Sequence, residues 1–309
     1  MAFAGGKVIL FGEHAVVHQR PALAAGISLG VKATATEADA DRLTAAPWGV
    51  DLVPGEGEGQ SADLSRAFAR ALGLYPADRP RLHVHAEVGL PGGAGLGCSA
   101  ALGVAVIHAL DEALGIDREP EARGEVSLAW EKVFHGNPSG VDNMMAAVGG
   151  IAVYRRGEPL EPIRARRSLP LVIANSGESS STKEMVSMVT RQYEREPERV
   201  GELFDGIASL VRNAKLAIQD GDLRAVGQLM DMNQALLSGI MLSTEKLEHL
   251  CKLAREAGAH GAKLTGAGGG GCMIALCDSA AEAATVEAAL APHASFTAIT
   301  ETRSRGPVQ

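Results

Sequence analysis

A chain of 309 residues is longer than one hydrophobic core usually organises, so two domains are expected. With 46% hydrophobic and 21% charged residues the composition is that of a globular protein, and a formal net charge of -8 excludes the broad positive field on which nucleic-acid binding depends. The four cysteines, Cys98, Cys251, Cys272 and Cys277, form no C-x-x-C pair and read as reduced thiols of a cytoplasmic protein; no run approaches the roughly 18 apolar residues of a membrane span, and "VILF" after Lys7 is too short for a signal segment.

The opening is β-rich. Lys7 to Phe11 predicts a short strand, and "ALAAGISLGVKATATEA" from Ala22 continues with alternation that suits another. Residues 50–60 read as a loop by their Pro, Gly and acidic content; Ser61 and Asp63 then open "LSRAFARALGLY", a helix ended by Gly73 and Pro76. "LHVHAEV" alternates strictly, placing Leu82, Val84, Ala86 and Val88 on one face of a strand. A glycine turn follows, then a segment from Ala100 to Leu110 apolar nearly all round, which marks a buried helix. A further helix over about 119–134 precedes "HGNPSGVDN", and "GGIAVYRR" and "LPLVIANSG" give two strands with a domain boundary between them near residue 165. Domains of 1–165 and 166–309 result.

The second half reads as helices at 182–195, 201–219, 222–237 and 243–257, the last opened by Ser243 and closed by Gly258. "SSSTKEMV" at 179–186 reads either as a mobile segment with Thr182 or Lys183 near a substrate, or as a helix cap by Ser181. The glycine-rich, strand-like "KLTGAGGGGCMIAL", a helix and a strand at "ASFTAIT" complete an α+β half. No internal repeat or low-complexity tract is visible.

The glycine turn carries the first chemistry. Gly92, Gly93, Gly95 and Gly97 stand between a strand and a buried helix, where converging N–H groups and the helix macrodipole make an anion site. Gly92 to Ser99 imitates a Walker A spacing, but Cys98 stands where its lysine must be, and the third glycine of G-x-G-x-x-G falls one position early at Gly97. A turn that merely permits tight strand–helix packing is the alternative to phosphate binding. Transfer of a phosphoryl group further needs a metal ligand, a charge beside the transferring group and a residue to position the accepting hydroxyl. "KVILFGEHAVVH" offers Lys7, Glu13 and His14; "WEKVFHGNPSGVDN" offers Glu131, His135 and Asp142; "KLTGAGGGGC" offers a second glycine loop, Gly266 to Gly271. His14 and His18 are spaced as a metalloprotease pair, but the glutamate of H-E-x-x-H is absent.

"KVILFGEHAVVH", "PGGAGLGCSAA", "HGNPSGVDN" and "KLTGAGGGGC" together resemble the signature segments of the GHMP small-molecule kinases, in the family's order from residue 7 to 272. Within that family the set is most similar to members that phosphorylate mevalonate. The resemblance implies an α+β architecture with an N-terminal domain of the ribosomal-protein-S5 type, including a left-handed β-α-β unit, a C-terminal ferredoxin-like α/β-plait domain, and an active site in the cleft between them. It implies that ATP, with Mg²⁺, phosphorylates the 5-hydroxyl of mevalonate on the route to isoprenoids, and that the partner is this small molecule, not a nucleic acid or membrane; a homodimer is the family's common habit.

The resemblance also implies roles. Asp142 is the catalytic base, and Lys7 stabilises charge that develops in transfer. Gly93, Ala94, Gly95, Leu96, Gly97, Cys98 and Ser99 bind the nucleotide phosphates. Ser99 and Glu131 are the magnesium ligands, hard oxygens that suit a cation keeping its waters. Glu13 and His14 lie at the substrate. His135, four residues beyond Glu131 on the same helical face, reads from its position as bracing the following loop rather than binding metal. Cys98, where the family usually has serine, keeps its backbone N–H but introduces thiol sensitivity. "AGGK" replaces the family's Pro-Gly-Lys, which predicts a short first strand, and Gln19 and Arg20 replace a Gly-Lys pair. Three other readings compete: a relative acting on another acceptor, a non-catalytic nucleotide-binding regulator, and a structural protein with a fortuitous glycine turn. "GEHAVVH" disfavours galactokinase-like members, which carry "GEHTDY", and the Lys7–Asp142 pair disfavours homoserine-kinase-like ones. Lys7, Glu131 and Asp142 are all present, as a non-catalytic regulator would not require.

Overall fold

A computed structural model of the chain describes residues 1–55, 59–135 and 138–305; Gly136 and Asn137 of "HGNPSGVDN" and residues 56–58 of the 50–60 segment lie outside the described residues. The chain folds as two compact units, and it passes from one to the other at residues 7–8, 27–28, 92–93, 96–97 and 149–150.

The first unit comprises Met1–Lys7, Ser28–Gly92 and Gly97–Gly149. It opens on strand β1 (Ala2–Phe11), ten residues long where a short strand was expected. The small residues "AFAGG" make the difference: Ala2 and Ala4 are fully buried, so the apolar pattern begins well before Lys7. Strand β2 (Ala22–Glu37) pairs antiparallel with β5 (Leu82–Val88), in a register that sets Val31 opposite Val88 and Ala33 opposite Ala86 on the buried face. β3 (Arg42–Ala46) pairs parallel with β5, and β4 (Val50–Leu52) closes the edge against β3. Strand β4 corrects the loop expected from residue 50. Its Leu52 and Val50 pair with Leu43 and Ala45, a cross-strand match that local Pro and Gly content conceals. Helix α1 (Gly59–Leu72) lies between β3 and β5 in the chain, the β-α-β crossover of the unit.

Helix α2 (Cys98–Ala113) is buried on most sides, as its composition predicts. The single helix expected over 119–134 is instead α3 (Pro120–Val126) and α4 (Leu128–Glu131). Their junction is Ser127, whose hydroxyl donates to the Gly124 carbonyl at 2.7 Å, a back-bond that bends a helix. Sequence reading missed α5 (Val141–Val148), which starts immediately after Gly140 in a left-handed conformation, φ 80°.

The second unit holds Val8–Ile27, Gly93–Leu96 and the chain from Gly150 onward. There the first residues of β2 pair antiparallel with β6 (Ile151–Tyr154), which pairs in turn with β7 (Glu161–Ile163). A separate sheet joins β8 (Pro170–Asn175), β9 (Gly261–Leu264), β10 (Cys272–Leu276) and β11 (Phe296–Glu301) in the order β11-β8-β10-β9, antiparallel throughout. Fourth, first, third, second is the order of a ferredoxin-like plait. Helices α6 (Thr182–Arg195), α7 (Pro197–Asp220), α8 (Leu223–Gly239) and α9 (Glu245–Glu256) fill the connection from β8 to β9, and α10 (Ala280–Leu290) joins β10 to β11. Phe204, Leu250, Leu264, Met273 and Val286 belong to its fully buried core. Helix starts follow their caps: Ser181, Asp222, Thr244 and Ser279 each accept a first-turn N–H, so α9 is capped by Thr244, one residue beyond the expected Ser243.

Candidate active site

The glycine turn leads into α2. Gly93, Gly95 and Gly97 have φ of 69°, 78° and 69°, the left-handed region that only glycine adopts without strain. Gly97 excludes a side chain for a second reason: a Cβ there would stand 3.0 Å from Lys7 Cγ and 3.7 Å from Asp142 Cβ. No side chain caps α2 at Gly97, so its first N–H groups and positive dipole end are available to an anion. Cys98 faces inward instead. Its thiol contacts the Leu90 carbonyl at 3.7 Å, and burial pushes its pKa up to about 12. The expected thiol sensitivity is corrected on that ground, because the reactive thiolate is suppressed.

One turn along the same face of α2 from Ser99 lies Gly103. A Cβ at Gly103 would meet Trp130 Cγ and Cδ1 at 2.6 Å; the missing side chain is the notch that lets this fully buried indole seat α4 close to α2. The next residue, Glu131, thereby reaches Ser99, whose hydroxyl donates to Glu131 Oε2 at 3.0 Å. His135 Nε2 stands 3.4 Å from Oε1, one helical turn on, so it meets the carboxylate itself. Burial pushes the Glu131 carboxyl above its ordinary pKa; the Ser99 hydrogen bond, His135 and Lys7 oppose that shift and Asp142 adds to it. A buried carboxylate beside a hydroxyl, both hard oxygen donors, fits a magnesium ion that takes its remaining ligands from water and phosphate. Among the described residues no group of three or more His, Cys, Asp and Glu side chains gathers as a metal site.

Lys7 and Asp142, 135 positions apart in sequence, form an ion pair with Nζ 3.5 Å from Oδ1. Lys7 projects from β1 with its side chain only 10% exposed, whereas Asp142 stands in the first turn of α5 and keeps 38% exposure. Asn143 fixes that helix: its Nδ2 donates to Ser127 Oγ at 2.8 Å, tying α5 to the α3–α4 junction four residues before Glu131. The first unit therefore brings Lys7, Gly97, Ser99, Glu131 and Asp142 into one constellation.

Glu13 and His14 belong to the second unit, with Gly93, Ala94, Gly95 and Leu96. Glu13 is buried, and its carboxylate is bound by Lys263, with Asn233 Nδ2 donating to Oε2 at 3.3 Å. Lys263 was missed by sequence reading; a lysine opening "KLTGAGGGGC" carries no local sign that it is buried. His14 Nε2 bonds the Ala267 carbonyl at 2.7 Å, and burial lowers the ring's pKa. A carbonyl only accepts, so Nε2 carries the proton and Nδ1 is left with a lone pair. His18 is not beside it in a metal pair: its ring stacks on Phe204 at 4.7 Å. In the second glycine loop a Cβ at Gly266 would lie 3.7 Å from Gly95 Cα, so the two glycine segments back onto each other. Ser181 caps α6, the second of the two readings of "SSSTKEMV".

Comparison with known proteins identifies the family. The model of the GHMP kinases N terminal domain matches residues 59–150, and that of the GHMP kinases C terminal matches 208–294. A mevalonate kinase of Pyrococcus horikoshii is 38% identical over 296 residues, covering 89% of this chain and 88% of its own; one of Thermococcus sibiricus is 36% identical over 298 residues, covering 89% and 88%. The crystal structure of L. major mevalonate kinase in complex with R-mevalonate is 30% identical and superimposes with a TM-score of 0.88 over 99% of this chain and 96% of that one. No helix among the described residues is long and apolar enough to cross a membrane. The chain is an enzyme and belongs to the GHMP kinase family.

Proposed function

We propose that the enzyme transfers the γ-phosphoryl group of ATP to the 5-hydroxyl of mevalonate, giving 5-phosphomevalonate and ADP on a route to isoprenoids. The observation that carries this reading is the Lys7–Asp142 pair packed against Gly97, the residue at which the phosphate turn becomes α2. Three distant segments of sequence meet there, and each supplies one requirement of phosphoryl transfer.

The uncapped N–H groups at Gly97–Ser99 and the turn from Gly93 hold the phosphates by backbone. Asp142 Oδ1 is the acceptor for the hydroxyl proton as the alcohol oxygen approaches phosphorus, and Lys7 Nζ neutralises charge on the transferring group. Ser99 and Glu131 are the residues that would hold Mg²⁺, which when bound neutralises phosphate oxygens. His14 Nδ1 is the lone-pair acceptor offered to a hydroxyl of the substrate. Because loose phosphoryl transfer rewards positioning more than basicity, the rigid seating of Asp142 by Asn143 is as much part of the mechanism as its charge.

Relatives named mevalonate kinase at 36–38% identity favour this acceptor over others used in the family. Release of ADP across a panel of mevalonate, phosphomevalonate, galactose and homoserine tests the assignment. Turnover that requires mevalonate and Mg²⁺ is the expected result, and faster turnover of another alcohol would overturn it.

A further inference from the structure

Burying a lysine and a glutamate together costs both their hydration, and apolar residues of equal volume commonly serve stability as well or better. What such a pair supplies is direction, since each polar atom must meet a fixed partner. The Glu13–Lys263 pair meets that description. Lys263 is 0% exposed, and its ammonium binds Glu13 and the Leu264 carbonyl, the latter at 2.6 Å. Glu13 binds Lys263 and Asn233 through its two oxygens, and its side chain is only 1% exposed, so it faces these partners inside the fold.

Around the pair, three further bonds run between the same two stretches of chain. Ile9 N–H donates to Thr265 Oγ1 at 3.0 Å, Thr265 Oγ1 donates to the Ile9 carbonyl at 3.1 Å, and His14 Nε2 bonds the Ala267 carbonyl. His14 sits at φ 57°, ψ -42°, a conformation costly for a residue with a Cβ and sustained only where the surroundings over-determine it. Residues 9–14 and 263–267 are therefore one clamped element. Within it Gly266 backs against Gly95, and just beyond it stands Gly271, where a Cβ would lie 3.8 Å from the Ala94 carbonyl oxygen.

We infer that Glu13 and Lys263 are positioning residues for nucleotide binding: their buried ion pair anchors the loop Gly266–Gly271, and that loop supports Ala94 and Gly95 of the phosphate turn. This rests on the reading of that turn as the phosphate site. Glu13 accordingly does not touch the acceptor alcohol, although its neighbour His14 faces that task.

The test replaces both charges by apolar residues of similar size, E13L/K263M, in the full-length enzyme. Each single variant strands a buried charge and is expected to melt well below wild type, so stability alone is uninformative there. The double variant is expected to keep a melting temperature at or above wild type and yet bind ADP, measured calorimetrically, about ten- to a hundredfold more weakly, the scale on which small misplacements act. Amide hydrogen exchange over Gly266–Gly271 is expected to quicken in the same variant. A double variant that folds, binds ADP as wild type does and protects the loop equally would overturn the inference. If wild type itself bound no ADP, the phosphate-site reading would fail, and the exchange rates would still decide whether the pair anchors the loop.

Discussion

Two buried glutamates, one in each unit, have opposite fates. Glu13 and Glu131 are both 4% exposed or less, and burial pushes the pKa of each upward. Glu13 meets an ammonium and an amide inside its own unit, so its charge is answered by the chain. Among the described residues, Glu131 meets a hydroxyl and an imidazole at its oxygens, with Lys7 acting from farther away. A buried carboxylate supplied with its own cation is part of the scaffold; one lacking a full counter-charge is prepared for a cation from outside. Exposure and pKa direction are alike at the two sites, so only the partners separate them.

The largest effect by which this contrast can be tested lies beside Glu131. Asp142→Asn keeps the shape of the site and removes the proton acceptor, and turnover is expected to fall about 10² to 10⁴-fold while calorimetric ATP binding persists. Near-normal turnover would take Asp142 out of the mechanism. A smaller effect compares the glutamates directly. Glu131→Gln is expected to raise the Mg²⁺ concentration for half-maximal rate by about tenfold or more, whereas Glu13→Gln leaves that concentration unchanged whatever it does to rate. Equal shifts in the two variants would erase the distinction drawn between them.

The smallest effect concerns buried and half-buried imidazoles whose charged form is disfavoured. Burial lowers the pKa of His14, His18 and His108 below the ordinary 6.5. The unfolded chain therefore binds more protons than the folded one as pH falls through that value. Stability contributed by these neutral rings is present above about pH 6.5 and is lost as pH drops toward their folded pKa values. The melting temperature is expected to be lower at pH 5.5 than at pH 7.5; a higher value at pH 5.5 would show that other groups dominate.

Much of this was legible in sequence where the information is local. β5 alternates strictly, α6, α8 and α9 carry side-chain caps, α7 starts at a proline and ends at Gly221, and all were located within a few residues. Where partners are remote, local reading failed. β4 is a strand only because β3 lies beside it, and the α3–α4 break depends on one serine hydroxyl turning back on its own helix. The site divides similarly. Gly97 could be recognised as a turn glycine, but its second reason, the approach of Lys7 and Asp142, exists only in three dimensions. Gly103 gives no local signal within its apolar helix; the reason for it is Trp130, which occupies the space a side chain there would need. Lys263 gave no signal, because a lysine reads as solvated unless its distant glutamate is known.

The central claim is that the phosphate turn and the Lys7–Asp142 pair serve one transfer, from ATP to mevalonate. Phosphorus NMR of the purified enzyme mixed with ATP, Mg²⁺ and R-mevalonate reads that transfer directly. A new phosphomonoester resonance coupled to the C5 methylene protons, growing in equal amount with ADP, is the predicted result. An unchanged γ-phosphate signal, or its conversion to inorganic phosphate alone, would contradict the account.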